Sequence, residues 1–304
     1  ERYTASCAGE ATDFARMNRG KVRQAGSVLQ NELSIRLVRG ARHAEHTLAM
    51  TGDAPVDREA IVNAIEGLRD VLPDLADDPH LLLADRVEST RVARAGALPP
   101  AESVVEEILA AAHGLDLVGI YAAGPVWRGF ANAEGQRNWH LAETFNLQWS
   151  LYHRTDKAVK TGCAGFAWDS AGFERKMATA REQLALIGRP SRALAPGTYR
   201  AYLSPSAMEE IAALLCWGGF SGRALATRQS PLLKMQDGQT LDPRVELAED
   251  TAAGVAPAFQ AEGFARPPRV PLVTGGALVG SLVSPRTARE FALAENGANA
   301  AEMP

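Results

Sequence analysis

The alternation of apolar and polar residues gives the first elements. In NELSIRLVRG, Leu33, Ile35 and Leu37 alternate with Ser34 and Arg36, the period of a half-buried strand. Arg39-Gly40 then turns the chain into a further strand from Arg42 to Met50. Asn18-Arg19-Gly20 makes a similar turn between Asp13–Met17 and Lys21–Leu29, so 12–50 reads as a meander of roughly four strands. Helical spacing follows. Asp57 is the expected N-cap of a helix carrying Ile61, Ile65, Leu68 and Leu72 and stopped by Pro73. A second begins after Pro99-Pro100, carries Val104, Val105, Ile108 and Leu109, and ends at Gly114. Between them, ADRVESTRVARAGALPP reads as an exposed extended segment.

LDLVGIY suits a buried strand, GPVWRGFANAEG a turning segment, and Phe145 to Tyr152 a second strand region. Asp169-Ser170 caps a helix with Phe173, Met177, Ala180, Leu184 and Ile187 on one face, ended by Gly188-Arg189-Pro190. The tract 190–196, PSRALAP, reads as a linker. Beyond it GTYRAYLSP alternates as a strand. A helix then starts with Ser206 as N-cap and Glu209 as capping-box partner, and stops at Gly218-Gly219. Further strands are expected near 245–248, 270–273 and 278–283. The reading is α+β: an N-terminal α+β domain over 1–190, with a strand meander and amphipathic helices, and a C-terminal mostly-β domain over 197–304 with one helix. No stretch recurs at a fixed period, which excludes a solenoid or propeller.

Composition narrows the class. The chain has 304 residues, 46% hydrophobic and 22% charged, enough to bury a core without disulfides or metals. Net charge is −4, with basic residues scattered and not gathered into a block, so no nucleic-acid partner is implied. Cys7, Cys163 and Cys216 are an odd, widely spaced set, which suits free thiols in a reducing, cytoplasmic compartment. Neither a signal peptide nor an apolar run of membrane-spanning length is present, so no membrane partner is expected. Both ends read as interior to a longer chain, the C-terminal domain being incomplete where ENGANAAEMP closes the sequence on a loop.

The candidate chemistry is sparse. His43 and His46 fall at an odd spacing on a strand and face opposite ways. His80 lies in a turn and His113 at a helix end, both structural readings. His140 and His153 lie in a tryptophan-rich region with Trp127, Trp139 and Trp149, where a ligand site and simple packing are both open. A zinc peptidase needs two histidines one helical turn apart and a glutamate beside them; no HExxH or HExxxH is present. Glu209-Glu210 reads as a solvated first turn, and Cys216, among Leu214, Leu215 and Trp217, as an inert packing thiol. GGFSG lacks the lysine of a phosphate loop, VTGGALVG lies in a β pattern, and no GxSxG elbow occurs.

Several blocks carry a resemblance: DFARMNRGKVRQAGSVLQNELSIRLVRGARHA, FNLQWSLYHRTDKAVKTG, GTYRAYLSPSAMEEI, RQSPLLKMQDGQTL, AEDTAAGVAPAFQAEGF and VTGGALVGSLVSPRTAREFAL. In their order and spacing they resemble the TldD/PmbA family, also named modulators of DNA gyrase and peptide-maturation proteins. The resemblance implies two subunit types. One carries HExxxH on the helix after the first strand of the C-terminal domain; the other, of PmbA or TldE type, does not. That motif falls here on ALLCWG, with Ala213 and Gly218 where the histidines would stand and Leu214 in place of the glutamate. The implied role is therefore a non-catalytic subunit with no cofactor of its own. Zinc would be held only by a TldD-like partner, the chain would dimerise with that partner or with itself, and a peptide would be the substrate. Glu262, Gly263 and Ser230 are the implied candidates for contact with a shared cavity, though a tight β turn with a solvated glutamate accounts equally for Glu262-Gly263. The resemblance also implies further strands beyond Pro304. Two rivals stand beside it: an active hydrolase using His140 and His153, and a binding or gyrase-modulating protein with no peptidase role.

Overall fold

Long, uninterrupted alternation builds the first sheet. The computed structural model describes residues 1–154, 156–253 and 256–303, so Gly254 and Val255 of AEDTAAGVAPAFQAEGF lie outside the described residues. Strands β1 (Arg2–Asn18) and β2 (Lys21–Arg39) pair antiparallel along nearly their whole lengths, and β3 (Arg42–Ala49) continues the meander. The meander thus has three strands, where the sequence suggests about four. The polar stretch after Leu29 does not break the strand, because Gln30 and Asn31 pair with Glu10 and Gly9, and Glu32 pairs with Ala8 and Ala49. Backbone pairing outweighs the local polar composition there.

A second long hairpin lies beside the first. Strands β5 (Asp116–Asn132) and β6 (Arg137–Arg154) pair antiparallel, β5 also pairs with β1, and β7 (Lys157–Gly165) continues from β6. A short parallel strand, β4 (Arg91–Arg94), adds to the other end of β6, giving the order β3-β2-β1-β5-β6-β4 with β7 also on β6. The expected turn at Gly124-Pro125 is instead the middle of β5, where Gly124 and Pro125 pair with Thr144 and Glu143. Gly124 is needed for close approach: a Cβ there would lie 2.1 Å from the Ala11 carbonyl oxygen.

Helices cover one face. α1 (Ala54–Val71) is capped by Asp53, not Asp57. Asp57 instead accepts hydrogen bonds from Thr51 and from the Gly52 N–H, holding the loop that leads into the helix. Leu68 of α1 and Leu72, in the 3-10 turn after it, close over Ile35 and Leu37. α2 (Ala101–Ala111) and α3 (Ser170–Ile187, capped by Asp169) press Val104, Ile108, Phe173 and Met177 onto Tyr121, Leu147, Trp149 and Leu151. Trp149 and Phe173 meet edge to face at 5.6 Å.

No helix or strand forms between α3 and α4 (Pro205–Cys216). The expected GTYRAYLSP strand has no partner, and its Tyr199 and Tyr202 are exposed. Beyond α4 come α5 (Gly222–Ala226), α6 (Leu233–Gln236), the small sheet β8 (Leu247–Glu249), β9 (Val270–Thr274) and β10 (Ala277–Leu278), and α7 (Pro285–Phe291). The α+β class holds, with less strand in this C-terminal part than its alternation suggests and more helix. Its residues surround a separate core of Phe220, Leu232, Leu272, Val273, Leu282 and Ala298. Glu302, 2% exposed, ties two of the short helices together: it accepts hydrogen bonds from Ser221 Oγ and the Arg223 N–H at α5 and from the Ser284 N–H at α7. Burial alone would raise its carboxyl; these bonds and that of Thr287 hold it below the usual carboxylate range. Among the described residues no helix is long and apolar enough to cross a membrane.

Ile108 is fully buried between α2 and the sheet. Ile108→Ala is expected to cost about 3 kcal/mol, read as a lower urea midpoint at unchanged slope.

Candidate functional site

The resemblance implies that a zinc motif would fall on the last turn of α4 and the residues just after it. Pro205 opens the helix at N1, and its cap is Ser204, whose Oγ accepts from the Ala207 N–H; Ser206 and Glu209 form no capping box. Proline in the first turn costs no hydrogen bond, so the cap moves one residue ahead of it. The helix ends at Cys216, with Trp217 as C-cap. Leu215 and Cys216 turn inward onto the C-terminal core, and burial pushes the Cys216 thiol above its ordinary value. Ala213 and Leu214 face outward, Leu214 being 68% exposed.

Zinc does not fit these positions. Ala213, Leu214 and Gly218 offer no donor atom. Gly218 also lies beyond the helix, with φ +72, so its Cα is off the helical face that a second histidine would need. Among the described residues no three His, Cys, Asp or Glu side chains gather into a metal-binding group. His140 and His153 cannot supply one together: they are thirteen residues apart on the continuous strand β6, on the order of 40 Å by strand rise. His43 is engaged elsewhere, 3.2 Å from Asp78.

The other candidates, Glu262, Gly263 and Ser230, are brought into packing roles. The turn from Gln260 to Gly263 is closed by a 3.0 Å bond from the Gly263 N–H to the Gln260 carbonyl. Gly263 has φ +90, and a Cβ there would stand 2.4 Å from the Phe130 ring, so only glycine fits. Its carbonyl accepts from Gln136 Nε2 at 2.8 Å, and Gln136 is 1% exposed. The same amide nitrogen donates to Asn138 Oδ1, while Asn138 Nδ2 donates to the Glu88 carbonyl. Buried amides are thereby satisfied across three segments of chain. Glu262 is not the solvated glutamate of a simple turn: Arg36 of β2 donates to it at 2.7 Å and to Glu45 at 2.9 Å. Ser230 is buried, donating to the Gly219 carbonyl and accepting from the Leu232 N–H. It pins the loop behind α4.

Local patterns do not show this clasp. Arg36 reads as the polar member of an alternating strand, and its partner Glu262 is 226 residues away. The only local hint was Gly263 itself. A second clasp joins Asp78 to α7: Asp78 accepts from the His80 N–H at 2.9 Å, Arg286 at 2.6 Å and His43 at 3.2 Å. Burial would raise the Asp78 carboxyl, but these bonds outweigh it and bring it from 3.8 to about 2.

Comparison with known proteins follows this geometry. Whole-chain structural similarity defines an α+β protein of one particular architecture. A Bacteroides thetaiotaomicron protein assigned as a modulator of DNA gyrase matches with TM-score 0.76 at 15% identity, over 97% of this chain and 71% of its own. TldE from Thermococcus kodakarensis matches at 0.72 and 14%, over 100% and 72%. A Thermotoga maritima protein, likewise assigned as a gyrase modulator, matches at 0.72 and 12%, over 100% and 72%. At these identities the likeness is one of fold. No curated protein matches the sequence. Residues 196–304 match the family described as PmbA/TldA metallopeptidase C-terminal domain. Over residues 196–304 the chain is thus similar in sequence to the PmbA/TldA metallopeptidase C-terminal domain, and over its whole length it shares the fold of these structures.

Gly263→Ala should destabilise by roughly 2–4 kcal/mol, from the left-handed backbone and the collision with Phe130, measured by urea unfolding. The Asp78 clasp has a defined pH window. A carboxyl depressed in the folded state stabilises fully above its unfolded value and loses that contribution as pH falls through the folded one. The protection of α7 amides relative to their intrinsic exchange rates should therefore fall between about pH 4 and pH 2, and Asp78→Asn should remove that step.

Proposed function

We propose that this chain is the zinc-free, TldE/PmbA-like subunit of a TldD/TldE-type metallopeptidase complex in the cytoplasm, and that the complex processes unfolded peptides. The observation that carries the reading is the ligand-free set Ala213, Leu214 and Gly218 on and just past α4. A catalytic partner would supply the zinc. This chain, with residues 1–190 and 197–304 as its two domains, would supply part of an enclosing wall and a strand edge for an extended peptide. The clasp of Arg36, Glu262, Gly263 and Gln136 supports that role, since it fixes the C-terminal segment against the sheet. In this reading Glu262 and Gly263 set the shape of the wall, and Ser230 sets the loop behind it. The exposed Leu214 and Trp217 would lie towards the partner subunit.

Purification at native expression, followed by metal analysis, tests the proposal. Recovery of an HExxxH homologue, with zinc in the complex and none in this chain alone, is expected. Stoichiometric zinc and peptidase activity in the isolated chain would end the reading. Recovery of DNA gyrase without such a homologue would instead assign this chain the modulator role named for its structural relatives. The triple substitution Ala213→His, Leu214→Glu and Gly218→His should give no zinc-dependent cleavage, because position 218 lies off the helix and no orienting groups surround it.

A further inference from the structure

The sheet has one face covered by α1, α2 and α3, and the other face carries a concavity of about 710 Å³. Strand register builds its floor. Arg16 of β1 stands opposite Gln24 on one side and Ile120 on the other; Ile120 faces Gln148, and Gln148 faces Gly162. One step along, Val118 faces Ser150 and Ser150 faces Lys160. Alternation keeps all of these on the face opposite Tyr121 and Leu147.

Two glycines hollow the surface. A Cβ at Gly26 would sit 3.3 Å from the Phe14 ring, and one at Gly162 would sit 2.6 Å from the Gln148 amide. Both side chains lie down over bare backbone, leaving Ile120 raised between them and 43% exposed.

The lining is basic and contains no carboxylate: Arg16, Arg23 and Lys160 are its charged members. Arg23 is the unpaired residue where the β1–β2 register shifts between Arg16 and Met17, and such a bulge re-aims the side chain it carries. Among the described residues neither Arg16 nor Arg23 has an ion-pair partner. Lys160 meets Glu210 of α4 at 3.6 Å, with both side chains largely exposed, a contact of little energy. Arg16 and Lys160 stand three strand spacings and two residues apart, about 16 Å, with Ile120 and Val118 between.

We propose that this groove binds an acidic peptide segment in which carboxylates flank bulky apolar residues. The cation spacing matches about five residues of extended chain. A small anion reaches only one end, and an uncharged apolar peptide leaves the cations unpaired. The ligand's carboxylates pair with Arg16 and Arg23 at one end and displace Glu210 from Lys160 at the other, while its apolar residues cover Ile120 and Val118. Binding here needs neither a partner subunit nor a metal, so it stands or fails separately from the assignment as a silent subunit.

Fluorescence anisotropy with a dye-labelled Glu-Asp-Leu-Leu-Asp-Glu peptide tests this on the chain as it exists. Saturable binding is expected, at least tenfold weaker in the double variant Arg16→Glu/Arg23→Glu and several-fold weaker in Ile120→Ser. Replacing both leucines of the peptide by serine should also weaken it several-fold. Arg244→Glu, at an exposed cation outside the groove, should leave binding unchanged. All substituted positions are solvent-facing, and a thermal melt checks that the variants stay folded. No binding by the unaltered chain, equal binding by the double variant, or equal binding of the serine peptide would each overturn the proposal, the last by reducing it to general charge attraction.

Discussion

Register in the large sheet is the constraint on which the rest depends. Its three central ladders join strands β1, β2, β5 and β6, each of 17 to 19 residues. A slip of one residue between β5 and β6 would send Leu147 and Leu151 to solvent and carry Gln148 into the core, and one between β1 and β5 would carry Arg16 inward. The helices on one face and the hollow on the other are thus two results of one pairing. Irregularities fall where they do not disturb it: at the bulge that frees Arg23, and at Gly124, where β1 and β5 come too close for a side chain.

The C-terminal segment is joined to this sheet in part by directional polar contacts. Gln136 and Asn138 bury amides that would be costly if unpaired, and each finds partners in segments far away in sequence. Arg36 and Glu262 add a partly buried, charge-assisted bond. Such contacts are directional, so they fix where the segment sits more strictly than a greasy surface would.

The sequence reveals most where a signal is local. Asp169 as a cap, the face of Phe173, Met177 and Ala180, and the stop at Gly188 are all legible, because a helix announces itself within a few residues. Gly124-Pro125 misleads, since the same dipeptide serves a turn or a close crossing of strands, and only the neighbouring strand decides. GTYRAYLSP misleads for the converse reason: alternation without a partner makes no strand. At the candidate site, the lack of zinc donors at Ala213, Leu214 and Gly218 needs only the residue types, whereas the engagement of Glu262 by Arg36 depends on long-range placement that no local pattern encodes.

Glu302 has a consequence for the order in which the protein is made. Its carboxylate completes the start of α5, yet it lies 81 residues after Ser221. At ordinary translation speed that separation is roughly 4 to 16 s. Throughout that interval α5 is a five-residue helix lacking one of its two capping side chains, held by Ser221 alone. The C-terminal core can therefore complete this cap only once Glu302 has been made, after every residue of the long hairpins.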